Sequence, residues 1–390
     1  MDYPAELSQK FQIAFGDQPR VFRAPGRVNL IGEHTDYNDG FVMPAAIDLS
    51  TYVAIAPRDD RLLTILSEGF DEVTELNLDR YAPHGTGHWS DYVRGVAVEL
   101  MQAGFKLRGA NLLIASNLPV GAGLSSSAAV EVATALALLS IIDATMDGVP
   151  LAKLCQRAEN EYVGARVGIM DQFISANGRA NHALMLDCRS LDFRLLPLPE
   201  SVRLVIANTM VKHSIASGEY NARRAECETA ARLLARRIAK VRALRDVTPA
   251  DVERYRDDLP ETVYKRARHV VSENERVLRA AEALASGDLA AFGQLMRQSH
   301  LSLRDDYEVS CEELDVMVEI AAKLPGCYGA RMTGGGFGGC TVNLVDATAV
   351  AAFSEALAKG YEQATNRPPQ IYICAVADGA QEVQSDAATR

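Results

Sequence analysis

Two glycines and three serines in the first third of the chain have the residue types that bind phosphate groups. In the run V-G-A-G-L-S-S-S-A-A, Gly121 and Gly123 precede Ser125, Ser126 and Ser127. Glycine lets the backbone approach a ligand closely, and the unpaired N–H groups at the start of a helix favour an anion. These residues at this spacing predict a phosphate-binding loop.

Better-known explanations of this loop fit less well. A Walker loop needs a lysine after its last glycine, but no lysine occurs between Lys106 and Lys153. The dinucleotide fingerprint needs glycine or alanine where Ser126 stands. A third possibility is that the serines only cap a helix. Three adjacent hydroxyls exceed what one cap requires, which favours phosphate together with a metal ion.

A second chemical signal is a charged segment at 23–40, R-A-P-G-R-V-N-L-I-G-E-H-T-D-Y-N-D-G. It holds Arg27, Glu33, His34 and Asp36 between glycines. Functional groups favour loops that a scaffold holds in place, so we interpret the segment as a binding loop. The alternative, a solvated hairpin, would not need the apolar residues that stand between the charges.

Two acidic residues lie in apolar surroundings farther along the chain. Asp171 follows two glycines in G-A-R-V-G-I-M-D-Q-F-I and has apolar residues on both sides. A buried carboxylate is rarely unpaired, because an isolated charge there costs too much, so Asp171 needs a cation and Arg27 is a candidate. Glu159 is predicted beside the buried edge of an amphipathic helix at 151–163, where most glutamates are solvated.

The elements that must position these groups follow from hydrophobic periodicity and from glycines and prolines. The apolar run 111–116 predicts a strand before the serine loop, and 128–139 predicts a helix after it. Further predicted elements are a strand pair at 51–56 and 61–66, a helix at 89–100, strands at 183–187 and 202–208, a long exposed helix at 221–245, strands at 328–333 and 340–345, a helix at 347–357 and a strand at 371–376. The last group predicts a small antiparallel α+β layer, in which a glycine run joins two strands.

The fold class predicted for the whole chain is α+β. The prolines of L-P-L-P-E at 196–200 mark a boundary, which divides the chain into domains at 1–195 and 196–390. A chain of 390 residues is expected to hold roughly two or three domains. Its hydrophobic fraction of 48% is ample for their cores.

Composition also limits the partners and the location. The net charge of −11 argues against nucleic acid or an anionic membrane as the main partner. No stretch resembles a membrane span or a signal peptide, so we expect a cytoplasmic protein. Seven scattered cysteines without a C-x-x-C pair predict small core residues in a reducing compartment.

Three glycine-bracketed segments together resemble the motifs of the GHMP small-molecule kinases. The segment G-R-V-N-L-I-G-E-H-T-D-Y-N-D-G at 26–40 resembles the galactokinase signature. The segment L-P-V-G-A-G-L-S-S-S-A-A at 118–129 is similar to the nucleotide motif, and R-M-T-G-G-G-F-G-G-C at 331–340 to the third motif. The resemblance spans nearly the whole chain and implies two α+β domains with the active site in the cleft between them.

The resemblance also implies roles for individual residues. Arg27 and Asp171 would act at the sugar hydroxyl that receives the phosphate. Five residues would bind galactose: Glu33, His34, Thr35, Asp36 and Tyr220. The loop that wraps ATP would consist of Gly121, Ala122, Gly123, Leu124, Ser125, Ser126 and Ser127, with Ser67 and Trp89 near the nucleotide. Ser127 and Glu159 would hold Mg²⁺.

The implied activity is transfer of the γ-phosphate of ATP to the 1-hydroxyl of galactose. Phosphoryl transfer needs positioning, a phosphate cradle, a divalent metal and a cation, which the named residues would supply. The sequence leaves open kinases of N-acetylgalactosamine or arabinose, and a sensor that binds sugar and ATP without turnover. It also leaves open whether Asp171 accepts a proton or mainly orients the hydroxyl and Arg27. No obligate protein partner is expected.

Overall fold

The computed structural model describes residues 3–119, 121–212 and 216–383. Val120, within the second motif, lies outside these residues. The α-helices are α1 (Tyr3–Phe15), α2 (Asp91–Gln102), α3 (Ser126–Ser140), α4 (Gly148–Arg157), α5 (Met170–Asn177), α6 (Ala216–Leu234), α7 (Pro249–Arg254), α8 (Glu261–Ala285), α9 (Leu289–Asp305), α10 (Glu312–Ala321) and α11 (Val350–Thr365). The strands are β1 (Arg20–Asn29), β2 (Phe41–Val42), β3 (Pro44–Pro57), β4 (Leu62–Ser67), β5 (Phe70–Asn77), β6 (Ala110–Ser116), β7 (His182–Asp187), β8 (Phe193–Pro197), β9 (Val202–Lys212), β10 (Cys327–Thr333), β11 (Gly338–Asp346), β12 (Gln370–Cys374) and β13 (Gln381–Val383).

The largest sheet has the strand order β13-β1-β3-β6-β4-β5. Helix α3 packs on its strands β1 and β3. The predicted strand-to-helix turn is confirmed, because β6 ends at Ser116 and α3 begins at Ser126. This arrangement fixes the serine loop between the central strands and the helix that covers them.

The predicted pairing of 51–56 with 61–66 is wrong. Strand β6 lies between β3 and β4, antiparallel to β3 and parallel to β4. The apolar residues of β6 are buried, which suits a central strand. A turn signal between two neighbouring strands cannot reveal that a more distant strand inserts between them.

The second sheet has the order β10-β11-β9-β12 with every pair antiparallel. This confirms the predicted antiparallel layer with a glycine run between β10 and β11. Helices α10 and α11 cover it through a shared core that includes Val205, Met317, Phe353 and Leu357. The glycine run therefore projects from a rigid edge of the sheet.

A third, small sheet has the order β2-β7-β8, and the chain passes from it to the second sheet between Pro197 and Val202. Near the C-terminus, β13 returns to pair with β1. One hydrophobic cluster contains residues from both halves, among them Leu30, Ile206 and Val342. The two-part architecture is evident, while the division at residue 195 stays a prediction.

Three local expectations need correction. The first charged segment is not a loop throughout, because its first part belongs to β1, where Phe22, Ala24 and Val28 are buried. The helix predicted at 151–163 continues past α4 only as a π-helical turn, Ala158–Val163. The long exposed helix ends at Leu234, about ten residues earlier than predicted.

Candidate active site

Six of the residues that the sequence singled out line one cavity of about 140 Å³. The lining residues come from the first charged segment, the stretch before and into α5, helix α6 and the turn between β10 and β11. They are Arg27, Glu33, His34, Asp36, Tyr37, Val167, Gly168, Met170, Asp171, Tyr220, Gly334 and Gly335. The cavity thus draws on both halves of the chain.

Arg27 and Asp171 form a bidentate ion pair at the edge of this cavity. Nε and Nη2 of Arg27 donate to the two carboxylate oxygens of Asp171 at 2.8 and 2.9 Å. Nη1 donates to the carbonyl oxygen of Gly123 at 2.6 Å, and the backbone N–H of Arg27 donates to that of Leu124 at 3.1 Å. The pairing predicted across 144 residues is therefore confirmed. The same arginine also ties the serine loop to the Asp171 carboxylate.

The charge state of Arg27 follows from its surroundings. Burial alone would lower the pKa of the Arg27 guanidinium, but the carboxylates of Asp171 and Glu33 outweigh it and raise the pKa. The arginine side chain is 7% exposed and that of Asp171 is 27% exposed. Asp171 is thus less buried than its apolar neighbours suggested, because its outer face opens into the cavity.

Ser125 contributes to this pair rather than to a helix cap. It stands at the N-cap of α3 with a φ of 62°, and its hydroxyl makes no capping bond within the described part of the chain. The hydroxyl instead donates to Oδ2 of Asp171 at 2.6 Å. The capping explanation is therefore wrong for Ser125, and sequence reasoning did not find its contact with Asp171.

Glu33 and His34 lie deep in the cavity wall. Oε1 of Glu33 accepts the backbone N–H of Gly334 at 2.7 Å. Burial raises the pKa of Glu33, and Arg331 and Arg27 oppose that rise. Burial lowers the pKa of His34 to about 3, so its imidazole is neutral near neutral pH. Its Nδ1 is 2.8 Å from the Tyr37 hydroxyl.

Asp36 and Tyr220 face the cavity from opposite halves of the chain. Burial, and secondarily the nearby Asp171, raise the pKa of Asp36 to about 6. A Cβ atom at Gly168 would lie 1.7 Å from Oδ2 of Asp36, so a side chain there would displace the Asp36 carboxylate. The ring of Tyr220 lies 5.7 Å from that of His34. These groups can donate to and accept from a polyol.

Thr35, also predicted to bind substrate, occupies a different place. Its hydroxyl lies 2.8 Å from the carbonyl oxygen of Gly32 and 2.6 Å from that of Phe41. It does not line the cavity. The side chain therefore shapes the backbone of the charged segment, and a direct role in binding stays a prediction.

A second cavity, of about 220 Å³, lies between the serine loop and the third motif. Gly121, Ala122 and Gly123 line one side, and the glycine run after Thr333 lines the other. Gly121 and Gly123 have φ values of 71° and 77°, which favour glycine. The side chains of Ala122 and Leu124 are buried, so this loop presents mainly backbone groups.

Ser67 and Trp89, predicted near a nucleotide, lie outside the linings of both cavities. Trp89 stacks on Phe70 with ring centroids 4.9 Å apart and an interplanar angle of 2°. Phe70 is nearly half exposed although it is a large apolar residue. Phe70, which belongs to the strand after Ser67, was not among the residues predicted from the sequence.

The predicted metal ligands Ser127 and Glu159 meet behind the serine loop. Burial, and then Asp171, raise the pKa of Glu159 to about 7, while hydrogen bonds from Ser127 and Gln172 oppose the rise. Nε2 of Gln172 donates to Oε2 of Glu159 at 2.5 Å and to Oε2 of Glu131 at 3.0 Å. We call Glu131, Glu159 and Gln172 the carboxylate cluster.

This cluster suits a divalent ion only in part. Burial, and then the nearby Glu159, raise the pKa of Glu131 well above its ordinary value. The raised pKa favours the neutral acid, which is a poorer metal ligand than a carboxylate. Among the described residues, no group of three or more His, Cys, Asp or Glu side chains could hold a metal ion alone. One carboxylate and one hydroxyl nevertheless fit Mg²⁺, which usually keeps waters and phosphate oxygens as further ligands.

Glu131 and Gln172 were missed by sequence reasoning, although each left a signal. Glu131 stands in the apolar run of α3, and Gln172 directly follows Asp171. The exposed fraction of each side chain is 0%. A polar residue inside an apolar helix pattern was therefore the sign of a buried network.

The structure also bears on the cysteines and on the expected lack of a membrane span. All seven cysteines are free, and Cys155, Cys227, Cys340 and Cys374 are buried. Within the described residues, we find no helix of the length and apolar character that crossing a membrane requires.

Family models match most of the chain. The galactokinase galactose-binding signature matches residues 9–57. The GHMP kinases N terminal domain matches residues 91–179, and the GHMP kinases C terminal domain matches residues 280–363. The first match contains Arg27 and Glu33, and the second contains the serine loop and Asp171.

Named proteins are similar over almost the full length. The chain is 49% identical to the galactokinase of Roseiflexus sp. strain RS-1, with 98% of each chain covered. It is 51% identical to the galactokinase of Chloroflexus aggregans, with 95% of each covered. The crystal structure of Lactococcus lactis galactokinase complexed with galactose is similar at a TM-score of 0.94 and 37% identity, covering 97% of this chain and all of that one.

Proposed function

This chain belongs to the galactokinase family of the GHMP kinases and is an ATP-dependent sugar kinase, and we propose the following roles for its residues. The reaction transfers the γ-phosphate of ATP to the 1-hydroxyl of galactose and gives galactose 1-phosphate and ADP. The observation that carries the residue roles is the contact of Arg27 with both Asp171 and Gly123. That contact joins the serine loop to the cavity lined by Glu33, His34, Asp36 and Tyr220, which we call the sugar cavity.

Galactose occupies the cavity lined by Glu33, His34, Asp36 and Tyr220. A carboxylate accepts hydrogen bonds from sugar hydroxyls, and a neutral imidazole can donate one and accept another. Thr35 supports this wall through its hydroxyl contacts with backbone carbonyls. A competitor that lacks one of these hydroxyls would leave a buried group unpaired, which gives the site its selectivity.

Asp171 orients the 1-hydroxyl and receives its proton. Phosphoryl transfer passes through a loose transition state in which the attacking oxygen is little changed, so the proton can leave late. The two N–H groups of Arg27 and the hydroxyl of Ser125 hold the Asp171 carboxylate in one orientation. Arg27 also provides positive charge beside the phosphoryl group in transit.

ATP binds along the serine loop, Gly121 to Ser127, where backbone N–H groups and the start of α3 face an anion. Ser127 and Glu159 would hold Mg²⁺. The ion, when bound, neutralises phosphate charge and orients the phosphates for in-line transfer. Ser67 and Trp89 lie toward the base of the nucleotide.

The remaining proposals concern the arrangement of the chain and its location. We place the boundary between the sugar- and nucleotide-binding domain and the C-terminal domain at residue 195. We propose a cytoplasmic location because ATP is the donor. No membrane, nucleic acid or obligate protein partner is needed for this chemistry.

Release of ADP tests the function directly. The purified chain would be assayed with ATP and Mg²⁺ against galactose, N-acetylgalactosamine, arabinose and glucose. We expect galactose to give the highest kcat/KM. Binding of galactose and ATP without ADP release would instead identify a sensor, and a higher kcat/KM for another sugar would change the substrate.

A further inference from the structure

The third motif contains a fully buried arginine that the reaction above does not use. The side chain of Arg331, on β10, is 0% exposed and is the largest among the fully buried side chains. Its Nη1 donates to the carbonyl oxygen of Asn29 at 2.9 Å. Nε and Nη2 have no hydrogen-bond partner among the described residues. A buried guanidinium with two unpaired donor atoms requires an explanation, because such groups are costly.

Arg331 lies close to Glu33, whose carboxylate lines the sugar cavity. Nη1 of Arg331 lies 3.6 Å from Oε1 of Glu33, and the Glu33 side chain is only 3% exposed. The same oxygen accepts the N–H of Gly334, three residues after Arg331. The third motif therefore contacts one oxygen of Glu33 with both a charge and a backbone donor.

The backbone around Glu33 is held by residues of α8, which belongs to the same half of the chain as Arg331. Glu273 on α8 accepts the N–H of Gly32 at 2.8 Å. Nε2 of His269 donates to the carbonyl oxygen of Glu33 at 3.1 Å. Arg276 pairs with Glu273 at 2.6 Å and is its main counter-charge, to which Arg331 adds a smaller share. Arg331 is therefore available to Glu33.

We propose that Arg331 is a positioning residue for sugar binding, which keeps Glu33 as an ionised carboxylate directed at the cavity. The inference rests on the proposed role of Glu33 in binding galactose. Burial favours the neutral acid, which would donate where the carboxylate accepts. Arg27 also carries positive charge, but its three hydrogen bonds are directed at Asp171 and Gly123. The third motif thus supports galactose binding through Glu33 and also lines the cavity beside the serine loop.

The test compares Arg331→Gln with Arg331→Lys. Glutamine keeps a donor for the Asn29 carbonyl but has no charge, whereas lysine keeps the charge. We expect Arg331→Gln to weaken galactose binding by about 10- to 100-fold in calorimetry. This is the scale of the hydrogen bond between a sugar hydroxyl and the charged Glu33 carboxylate, which would be lost. Arg331→Lys should recover a large part of that loss, and the affinity for ATP should change less than threefold in both.

A double-mutant cycle with Glu33→Gln separates positioning from general stability. Once residue 33 is neutral, Arg331→Gln should weaken galactose binding by only about twofold or less, because the charge it supports is gone. Arg266→Gln is the matched control: Arg266 is equally buried and ion-paired with Glu226 and Glu308. It should lower the Tm and leave galactose affinity unchanged.

The outcomes are distinct. If the unmodified chain fails to bind galactose, the proposed function is wrong. If it binds galactose and Arg331→Gln binds equally well, or if the losses from Glu33→Gln and Arg331→Gln add fully, this inference is overturned. If Arg331→Gln does not fold, Arg331→Lys decides the matter. The loss of galactose affinity that Arg331→Lys causes should vanish when Glu33→Gln is also present, and an equal effect of Arg331→Lys in both backgrounds overturns the inference.

Discussion

Two neighbouring groups of buried acidic side chains neutralise their charge in different ways. In the first, which we call the arginine-paired cluster, Asp171 pairs with Arg27 and Glu33 lies beside Arg331. In the carboxylate cluster, the amide of Gln172 stands between Glu131 and Glu159, and neither glutamate forms an ion pair within the described residues. Glu33, Glu131 and Glu159 are buried and Asp171 is partly exposed to its cavity, yet only the arginine-paired cluster contains its own cations.

The difference indicates which cluster needs a ligand to balance its charge. Two carboxylates that share one amide nitrogen cannot both ionise at low cost. The raised pKa values of Glu131 and Glu159 follow first from burial and then from neighbouring carboxylates, Glu159 for Glu131 and Asp171 for Glu159. The arginine-paired cluster is balanced without a ligand and can orient a neutral sugar. The carboxylate cluster has no cation of its own among the described residues, which agrees with the proposal that Mg²⁺ arrives there with the nucleotide.

The largest expected effect is in the arginine-paired cluster. Asp171→Asn keeps the shape of the side chain but cannot accept a proton, so turnover should fall by about 10² to 10⁴. Galactose and ATP should still bind. Steady-state kinetics and calorimetry measure both, with Asp59→Asn as a control because the Asp59 side chain is fully exposed. Turnover within a few-fold of the unmodified chain would reduce Asp171 to holding Arg27 in place.

The next effect concerns the carboxylate cluster and its ion. Glu159→Gln and Ser127→Ala should each raise the Mg²⁺ concentration for half-maximal rate by at least about tenfold, because each removes a proposed ligand. Galactose binding, which depends on the other cluster, should be unaffected. Binding of Mn²⁺ to the nucleotide complex, followed by electron paramagnetic resonance, gives a readout independent of turnover. Unchanged metal titrations in both variants would remove these residues from the metal site.

A pH dependence should separate the sugar cavity from the metal site. The pKa of Asp36 is raised to about 6 by burial and by Asp171, so its carboxylate becomes protonated as the pH falls through that value. Loss of this acceptor should weaken galactose binding by up to about tenfold for each pH unit below the pKa. Calorimetry between pH 5 and 8 measures the slope. The slope should be much shallower in Asp36→Asn, and an equal slope would assign the dependence to another group.

The smallest expected effect is that of Glu131→Gln. Glutamine keeps the volume and the oxygen that accepts from Gln172, and the raised pKa of Glu131 favours the neutral acid, which glutamine resembles. We expect turnover and Mg²⁺ requirement to stay within about threefold. Glu131→Leu, which removes the acceptor, should lower the Tm and raise the Mg²⁺ requirement. A Glu131→Gln variant as impaired as Glu159→Gln would make Glu131 an ionised metal ligand and erase the contrast between the clusters.

The sequence predicted the parts of this site whose signals are local. The turn from β6 to α3 follows from an apolar strand, a glycine loop and an alanine-rich helix within 30 residues. The need of Asp171 for a cation followed from its apolar neighbours, and the choice of Arg27 was correct. The motif resemblance supplied the roles of the site residues and added Thr35, Tyr220, Ser67 and Trp89, since periodicity carries no information about which side chains meet.

The tertiary structure alone decided the features that depend on distant strands and helices. It inserted β6 between β3 and β4, directed Ser125 to Asp171, and placed Arg331 beside Glu33. Local propensity and periodicity determine which segments form helices or strands and which face is apolar. The partner of a buried charge depends instead on how separate elements pack, because its cost is set by every group around it in space rather than by its neighbours in sequence.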